Sequence, residues 1–179
     1  MNTRDVSDTL STLMRELVQG SPDETVGTYM LNRGDRGLVA SLENVSASAA
    51  SVSPTGGASI AAHVDHLRYG FALLNRWANG EVAPWKDADW TMSWKKPVVS
   101  EAEWRSLRDD FRREADAWIV ALRTPRDVHP REFAWIVGSV AHLAYHLGAI
   151  RQIDRAARGP TAEDERRAEQ MLKSARPDA

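Results

Sequence analysis

Five histidines are the residues most able to do chemistry in this sequence, and four of them fall into two close pairs. His142 and His146 are four residues apart, so on a helix both imidazoles project from the same face, one turn apart. Two neutral imidazoles placed in this way can share one divalent metal ion, with bonds of about 2.0–2.1 Å in the case of zinc. His63 and His66 form the second pair, three residues apart. The spacing therefore favours a site that draws on two helices.

The alternative is that these histidines are ordinary core residues. A single buried histidine is usually a hydrogen-bonded core residue, and one HxxxH pair alone is weak evidence for a metal. Two inward-facing pairs are harder to explain, because each buried imidazole without a partner costs about 1–3 kcal/mol. We therefore expect a divalent metal on three histidine nitrogens, with one coordination position open, as in catalytic zinc sites. The spacing leaves open whether His63 or His66 completes the set.

Other chemistries are excluded by residues that the sequence lacks. The segment HLAYH at 142–146 has no glutamate of the zincin HExxH motif, and the ExxH spacing of di-iron carboxylate bundles does not occur. The sequence contains no cysteine, which excludes disulfides, cysteine zinc sites, iron–sulfur clusters and a protein thiol nucleophile. Any thiol that takes part in the chemistry must therefore come from a cosubstrate.

Length and charge narrow the class of protein further. The 179 residues are typical of one domain, and we expect a single domain over residues 1–179. The formal net charge of −2 lacks the basic excess of most nucleic-acid binders. The first residues carry no apolar segment of a signal peptide. Residues 133–150 are uncharged and reach the lower limit of a membrane span, but their histidines favour a helix inside a bundle. We therefore expect a cytoplasmic protein with no nucleic-acid or membrane partner.

Apolar residues repeat with helical periodicity along nearly the whole chain, and no useful length alternates with the period of a strand. The pattern predicts helices at about 10–18, from about 35 to 45, 58–78, from 100 to about 124, 130–157 and 162–174, with a capping box at Ser100 and Glu103. Residues 45–59 and 81–97 are predicted to be loops. Such helices pack as an antiparallel four-helix bundle, here with extra N-terminal and C-terminal helices. The expected fold class is therefore all-α.

Several other residues are candidates for supporting roles. Trp85, Trp90 and Trp94 lie in the predicted loop 81–97, where they either cap a pocket or cover an end of the bundle. A metal-bound histidine usually hydrogen-bonds a further group through its second nitrogen. The carboxylates that remain open for this role are Glu43, Asp109, Glu114 and Asp116, and the hydroxyls that could line a pocket belong to Tyr69 and Tyr145.

The residues around the two histidine pairs resemble a known family. The segments SIAAHVDHL at 59–67 and SVAHLAYHLGAIRQ at 139–152 resemble the DinB-like (YfiT-like) superfamily, and the likeness covers about residues 35–152. Its members are four-helix bundles, often dimers, with nickel or zinc on one histidine of the second helix and an HxxxH pair of the last. The resemblance assigns the metal to His66, His142 and His146. His63 does not match the family's ligand position.

The resemblance also implies an activity. Members of this superfamily are described as metal-dependent hydrolases, or as transferases and isomerases that use bacillithiol, mycothiol or glutathione. We therefore expect zinc or nickel that activates a water or a low-molecular-weight thiol, a small-molecule substrate and a homodimer. Leu147 and Ala149 replace an arginine and a glutamine common in the family, so no catalytic residue is assigned. The alternatives are a non-catalytic small-molecule-binding or stress-response bundle, and a structural bundle without metal.

Overall fold

The computed structural model describes residues 3–21, 28–53, 56–95 and 98–174, and within these ranges it is helical without any strand. The all-α prediction is therefore confirmed for this part of the chain. The helices are α1 (Thr3–Gln19), α2 (Gly37–Glu43), α3 (Ala47–Ala50), α4 (Ile60–Ala78), α5 (Glu101–Arg123), α6 (Pro130–Ile153) and α7 (Ala162–Ser174). Short 3-10 helices cover Met92–Trp94 and Arg155–Ala157.

Side chains at the helix starts fix where the two histidine-bearing helices begin. The Ser59 hydroxyl accepts a hydrogen bond from the amide of the first turn of α4, as expected of an N-cap serine. At α6, His129 and Glu132 form a capping box, with proline at the first helical position. The capping box that the sequence predicts for α5 is present between Ser100 and Glu103. These local hydrogen bonds stabilise the starts of the helices that carry the histidines.

The four longest helices contact one another around one continuous apolar core. The α5 helix packs against α1 and α4, and α6 also contacts both α1 and α4. The buried residues of this core include Met14, Leu17, Phe71, Phe111, Trp118, Leu143 and Ile150. Because α4 and α6 touch directly, side chains on their facing sides are brought within bonding distance.

The α6 helix has two different faces. By length and composition it is the one described helix apolar enough to cross a membrane, a property shared by core helices of soluble proteins. Its buried face carries Ser139, Leu143 and His146. Its opposite face exposes Val137 and Tyr145, with 42% and 70% of their surface accessible. The helix therefore lies with one side in the core, as the sequence suggested, and one uncharged side outside it.

Several predicted boundaries differ from the structure. The predicted loop 45–59 contains α3, whose N-cap Ser46 accepts a hydrogen bond from Ala49. The last long helix ends at Ile153 rather than near 157, because the Asp154 side chain caps a 3-10 turn instead. Val45 lies just outside α2. Four prolines in or beside the predicted loops and helix ends, Pro22, Pro54, Pro97 and Pro177, lie outside the described residues, and so do residues 22–27 between the first two predicted helices.

Candidate metal centre

Helices α4 and α6 bring the two histidine pairs into direct contact. The Nε2 atom of His142 lies 3.2 Å from Nε2 of His66 and 2.8 Å from Nε2 of His146. One ring nitrogen from each of these three residues lies within 4.8 Å of the other two. His66 and His146 are buried and His142 is half-buried. The three histidines that the resemblance names therefore lie close together and could hold a metal ion.

Two of the distances between the ring nitrogens are close to those around a small divalent ion. Two nitrogens bound to one tetrahedral zinc at about 2.0–2.1 Å lie about 3.3 Å from each other. The 3.2 Å between His66 and His142 is close to this value. The 2.8 Å between His142 and His146 needs a small rotation of one ring to match it. Three imidazole nitrogens are also a donor set that zinc and nickel accept readily.

The second nitrogen of His66 is held by a serine from the tryptophan-rich connection. The Nδ1 atom of His66 lies 3.0 Å from the Ser93 hydroxyl, which in turn donates to the Trp90 carbonyl oxygen at 2.8 Å. A hydroxyl has only one proton to donate, so Ser93 accepts from His66. The proton of neutral His66 therefore sits on Nδ1, and its Nε2 lone pair points toward His142.

The second nitrogen of His146 is held by the fourth histidine. The Nδ1 atoms of His63 and His146 lie 2.8 Å apart, both in buried side chains. If Nε2 of His146 is the ligand atom, its proton sits on Nδ1 and is donated to His63, whose own proton then sits on Nε2. His63 thus occupies the place that a carboxylate or carbonyl takes beside most metal-bound histidines.

The surroundings keep all four imidazoles neutral. Burial, followed by the neighbouring His142 and His63, lowers the pKa of His66 to about 4, although Asp65 acts in the opposite direction. Burial, followed by the charges of His142, His63 and His66, lowers the pKa of His146 to about 3. Burial also lowers the pKa of His63 and of His142. Since a histidine binds metal only through an unprotonated nitrogen, the site is ready for metal at neutral pH.

Two tryptophans of the 81–97 segment cover the histidines. The Trp94 ring stacks on His66 with 4.2 Å between ring centroids and 23° between planes, and lies 5.7 Å from His146. The Trp90 ring lies 5.6 Å from His66. Trp85 instead packs edge-on against Trp135, at 4.0 Å. Trp90 and Trp94 therefore cap the histidine site, which is one of the two roles that the sequence left open.

The carboxylates proposed from the sequence as histidine partners lie elsewhere. Glu43 pairs with an arginine of α5, Glu114 accepts from the Asn75 amide, and Asp116 accepts from Gln19. Asp109 is exposed. Glu43, Glu114 and Asp116 are held by their own neighbours, and Ser93 and His63 contact the outer nitrogens of the histidines instead.

The two tyrosines differ in their relation to the site. The Tyr69 hydroxyl accepts from the Asp89 amide, which braces the connection rather than the metal centre. The Tyr145 ring lies 5.1 Å from the His146 ring but is mostly exposed. The hydrogen-bond partners of His146 and His66 differ in how far the sequence indicated them. His63 was visible as the companion of His66, whereas nothing in the sequence around Ser93 marks it.

Comparison with known proteins adds no identification: no protein-family model, curated protein or solved structure matches the chain. The geometry and chemistry of the histidine cluster are therefore what indicates a function for this chain.

Proposed function

We propose that this chain is a DinB-like, metal-dependent enzyme that holds zinc or nickel on His66, His142 and His146. The observation that carries the proposal is the convergence of three imidazole nitrogens within 4.8 Å of one another at the α4–α6 contact. The fixed tautomer of His66 and the low pKa values of the cluster support it, because both leave nitrogen lone pairs free for a metal. The contacts of α5 and α6 with both α1 and α4 support an antiparallel four-helix bundle as the topology.

The reaction that we propose is the activation of a water or a low-molecular-weight thiol, of the hydrolase or S-transferase type. A bound divalent metal would supply Lewis acidity, which lowers the pKa of a coordinated water or thiol. The chain provides the binding nitrogens, while Trp94 and Trp90 exclude water from the side of His66. Half-buried His142 lies on the side that remains accessible to a small-molecule substrate. Because the chain has no cysteine, the thiol would be a cosubstrate such as bacillithiol, mycothiol or glutathione.

One observation favours a second candidate, a non-catalytic binding protein. The outer nitrogens of His66 and His146 contact a serine and a histidine rather than any of the carboxylates that the sequence left open for this role. A general base is therefore not assigned. Under this second function, the metal would anchor an anionic small molecule without turning it over. Tight binding of thiols or carboxylates with no turnover across a broad substrate panel would favour it over the enzyme.

The homodimer that we propose follows the resemblance, and the cytoplasmic location that we propose follows the lack of a signal-peptide pattern in the first residues. The exposed, uncharged face of α6, which includes Val137 and Tyr145, supports a homodimer. Sedimentation of the wild-type chain beside Val137→Glu tests this. We expect the wild type to sediment as a dimer and the variant as a monomer; a monomeric wild type would remove this part of the proposal.

Metal content is the measurement that tests the proposed function. The protein is purified without an affinity tag that binds metal, and zinc and nickel are determined per chain for the wild type, His66→Ala and His142→Ala. His129→Asn is the matched control, since it removes an exposed histidine while asparagine remains a good N-cap. We expect about one ion per chain in the wild type and the control, and almost none in either alanine variant. Full metal content in His142→Ala, or no uptake by the wild type, would overturn the proposal.

A further inference from the structure

An apolar cavity adjoins the histidine cluster. It has a volume of about 260 Å³ and lies between α4 and α6, next to the tryptophan-rich connection. Its walls include Phe71, Leu74, Trp85, Trp90, Trp135 and His142. Because His142 is both a wall of this cavity and a member of the metal centre, a molecule in the cavity lies beside the candidate metal.

Two glycines, one on each helix, leave room for the cavity. On α6, Gly138 lies four residues from Ala134 and four from His142, so the three share one stripe that faces the cavity. A Cβ atom added at Gly138 would meet nothing within 4 Å. On α4, a Cβ atom at Gly70 would touch only the Trp90 ring, at 4.0 Å. Glycine inside a helix costs about 0.5–1 kcal/mol relative to alanine. Each helix is therefore less stable with glycine than with alanine at the position that borders the cavity.

The chemistry of the walls selects for an uncharged ligand. No aspartate, glutamate, lysine or arginine lines the cavity among the described residues. Its hydroxyl, that of Ser139, already donates to the Ile136 carbonyl and accepts from the Trp118 indole. A charged group would therefore find no oppositely charged partner in these walls and would lose part of its hydration there. The His142 imidazole is a polar group of the lining at which a ligand's polar end can lie.

The shape and the aromatic walls point to a flat ring. Trp85 and Trp135 meet edge to face, and Trp90 borders the same space, so an inserted ring can pack against aromatic faces and edges. An engineered apolar cavity of about 150 Å³ is enough to bind benzene. The larger volume here accommodates one aromatic ring together with a short substituent.

We propose that this cavity binds an uncharged aromatic group of the ligand, with the ligand's reactive end directed to His142. The direction of the reactive end toward His142 rests on the proposed metal-dependent function. The binding of the aromatic group depends only on the cavity. The substrate class that follows is a small aromatic compound that carries its polar or thiol-reactive substituent close to the ring.

The test uses 4-fluorotoluene, an uncharged ring without a metal-binding atom, followed by ¹⁹F NMR titration. The full-length protein is titrated both metal-free and zinc-loaded, as wild type, Gly138→Leu and Gly148→Leu. Gly148 is a matched control because it lies on the same helix, is exposed, and has no heavy atom within 4 Å of an added Cβ, yet does not line the cavity. Contacts of the bound ring are assigned through NOEs to the Trp85 and Trp135 indole protons.

We expect saturable binding to the wild type and to Gly148→Leu, and at least tenfold weaker binding to Gly138→Leu, because the leucine fills the space. Equal affinity in Gly138→Leu and Gly148→Leu, or no saturable binding to the wild type, would overturn the inference. Zinc content is measured on the same samples, so the two proposals fail separately. A chain that binds the ring but no zinc supports the cavity and removes the metal function, whereas zinc without the ring does the reverse.

Discussion

The imidazole of His63 is the hydrogen-bond partner of His146, with 2.8 Å between their Nδ1 atoms. This contact replaces the carboxylate that often orients a metal-bound histidine. A neutral partner adds no negative charge, so a divalent ion on three neutral imidazoles would keep its full charge of +2. Such a centre attracts anionic ligands, including thiolates, more strongly than one with a carboxylate beside it. The partner histidine is thus part of what the site can bind.

Replacing His63 tests whether it positions His146 or binds the metal itself. We expect His63→Ala to retain about one zinc per chain but to bind it about 10–100-fold more weakly, since partners of ligating histidines contribute this much. Zinc affinity is measured by competition with a chromophoric chelator. His63→Gln, which keeps a hydrogen-bonding side chain, is expected to recover part of the loss. Complete loss of zinc from His63→Ala would instead make His63 a ligand, and unchanged affinity would remove its positioning role.

Ser93 is expected to fix the tautomer of His66. In Ser93→Ala the Nδ1 proton of His66 loses its acceptor, so the two neutral tautomers become closer in energy and the Nε2 lone pair is less populated. The ¹⁵N chemical shifts of the His66 ring in the metal-free protein report this directly. We expect a protonated Nδ1 in the wild type and in Ser93→Thr, and a mixture in Ser93→Ala. A pure Nδ1-protonated ring in Ser93→Ala would show that the serine is dispensable.

The stability of the metal-free protein should fall in mild acid. The pKa values of His66 and His146, about 4 and about 3 in the folded protein, lie below the ordinary value of 6.5. Between about pH 4 and pH 6.5 the unfolded chain binds protons that the folded chain does not. The contribution of these histidines to stability is therefore fully present above about pH 6.5 and declines as the pH falls toward 4. We expect the free energy of unfolding in urea to drop by about 2–4 kcal/mol from pH 7.5 to pH 5.

The double variant His66→Asn/His146→Asn is the control for this pH dependence. Asparagine does not titrate, so the decline between pH 7.5 and pH 5 should become shallower. An equal decline in the double variant would assign the acid sensitivity to other groups.

The local parts of the site could be predicted because they depend on one helix at a time. Four-residue spacing places His142 and His146 on one side of α6 whatever surrounds it, and the Ser100–Glu103 capping box was equally visible. The end of α6 was misplaced because the Asp154 side chain caps a 3-10 turn that its periodicity does not reveal. The short helix α3 was not predicted for a similar reason, since a four-residue helix is too short to show an apolar stripe.

The sequence by itself determined that the chain is helical, that cysteine chemistry is excluded, and that two histidine pairs lie on two helices. Only the tertiary structure decided the separate roles of His63 and His66, because three residues on a helix differ by about 60° in direction and the rotation of α4 against α6 selects which ring meets His142. It also decided that Ser93, distant in the chain, completes the site. Side-chain spacing within a helix is fixed by backbone geometry, whereas contacts between helices and loops depend on how the whole core packs.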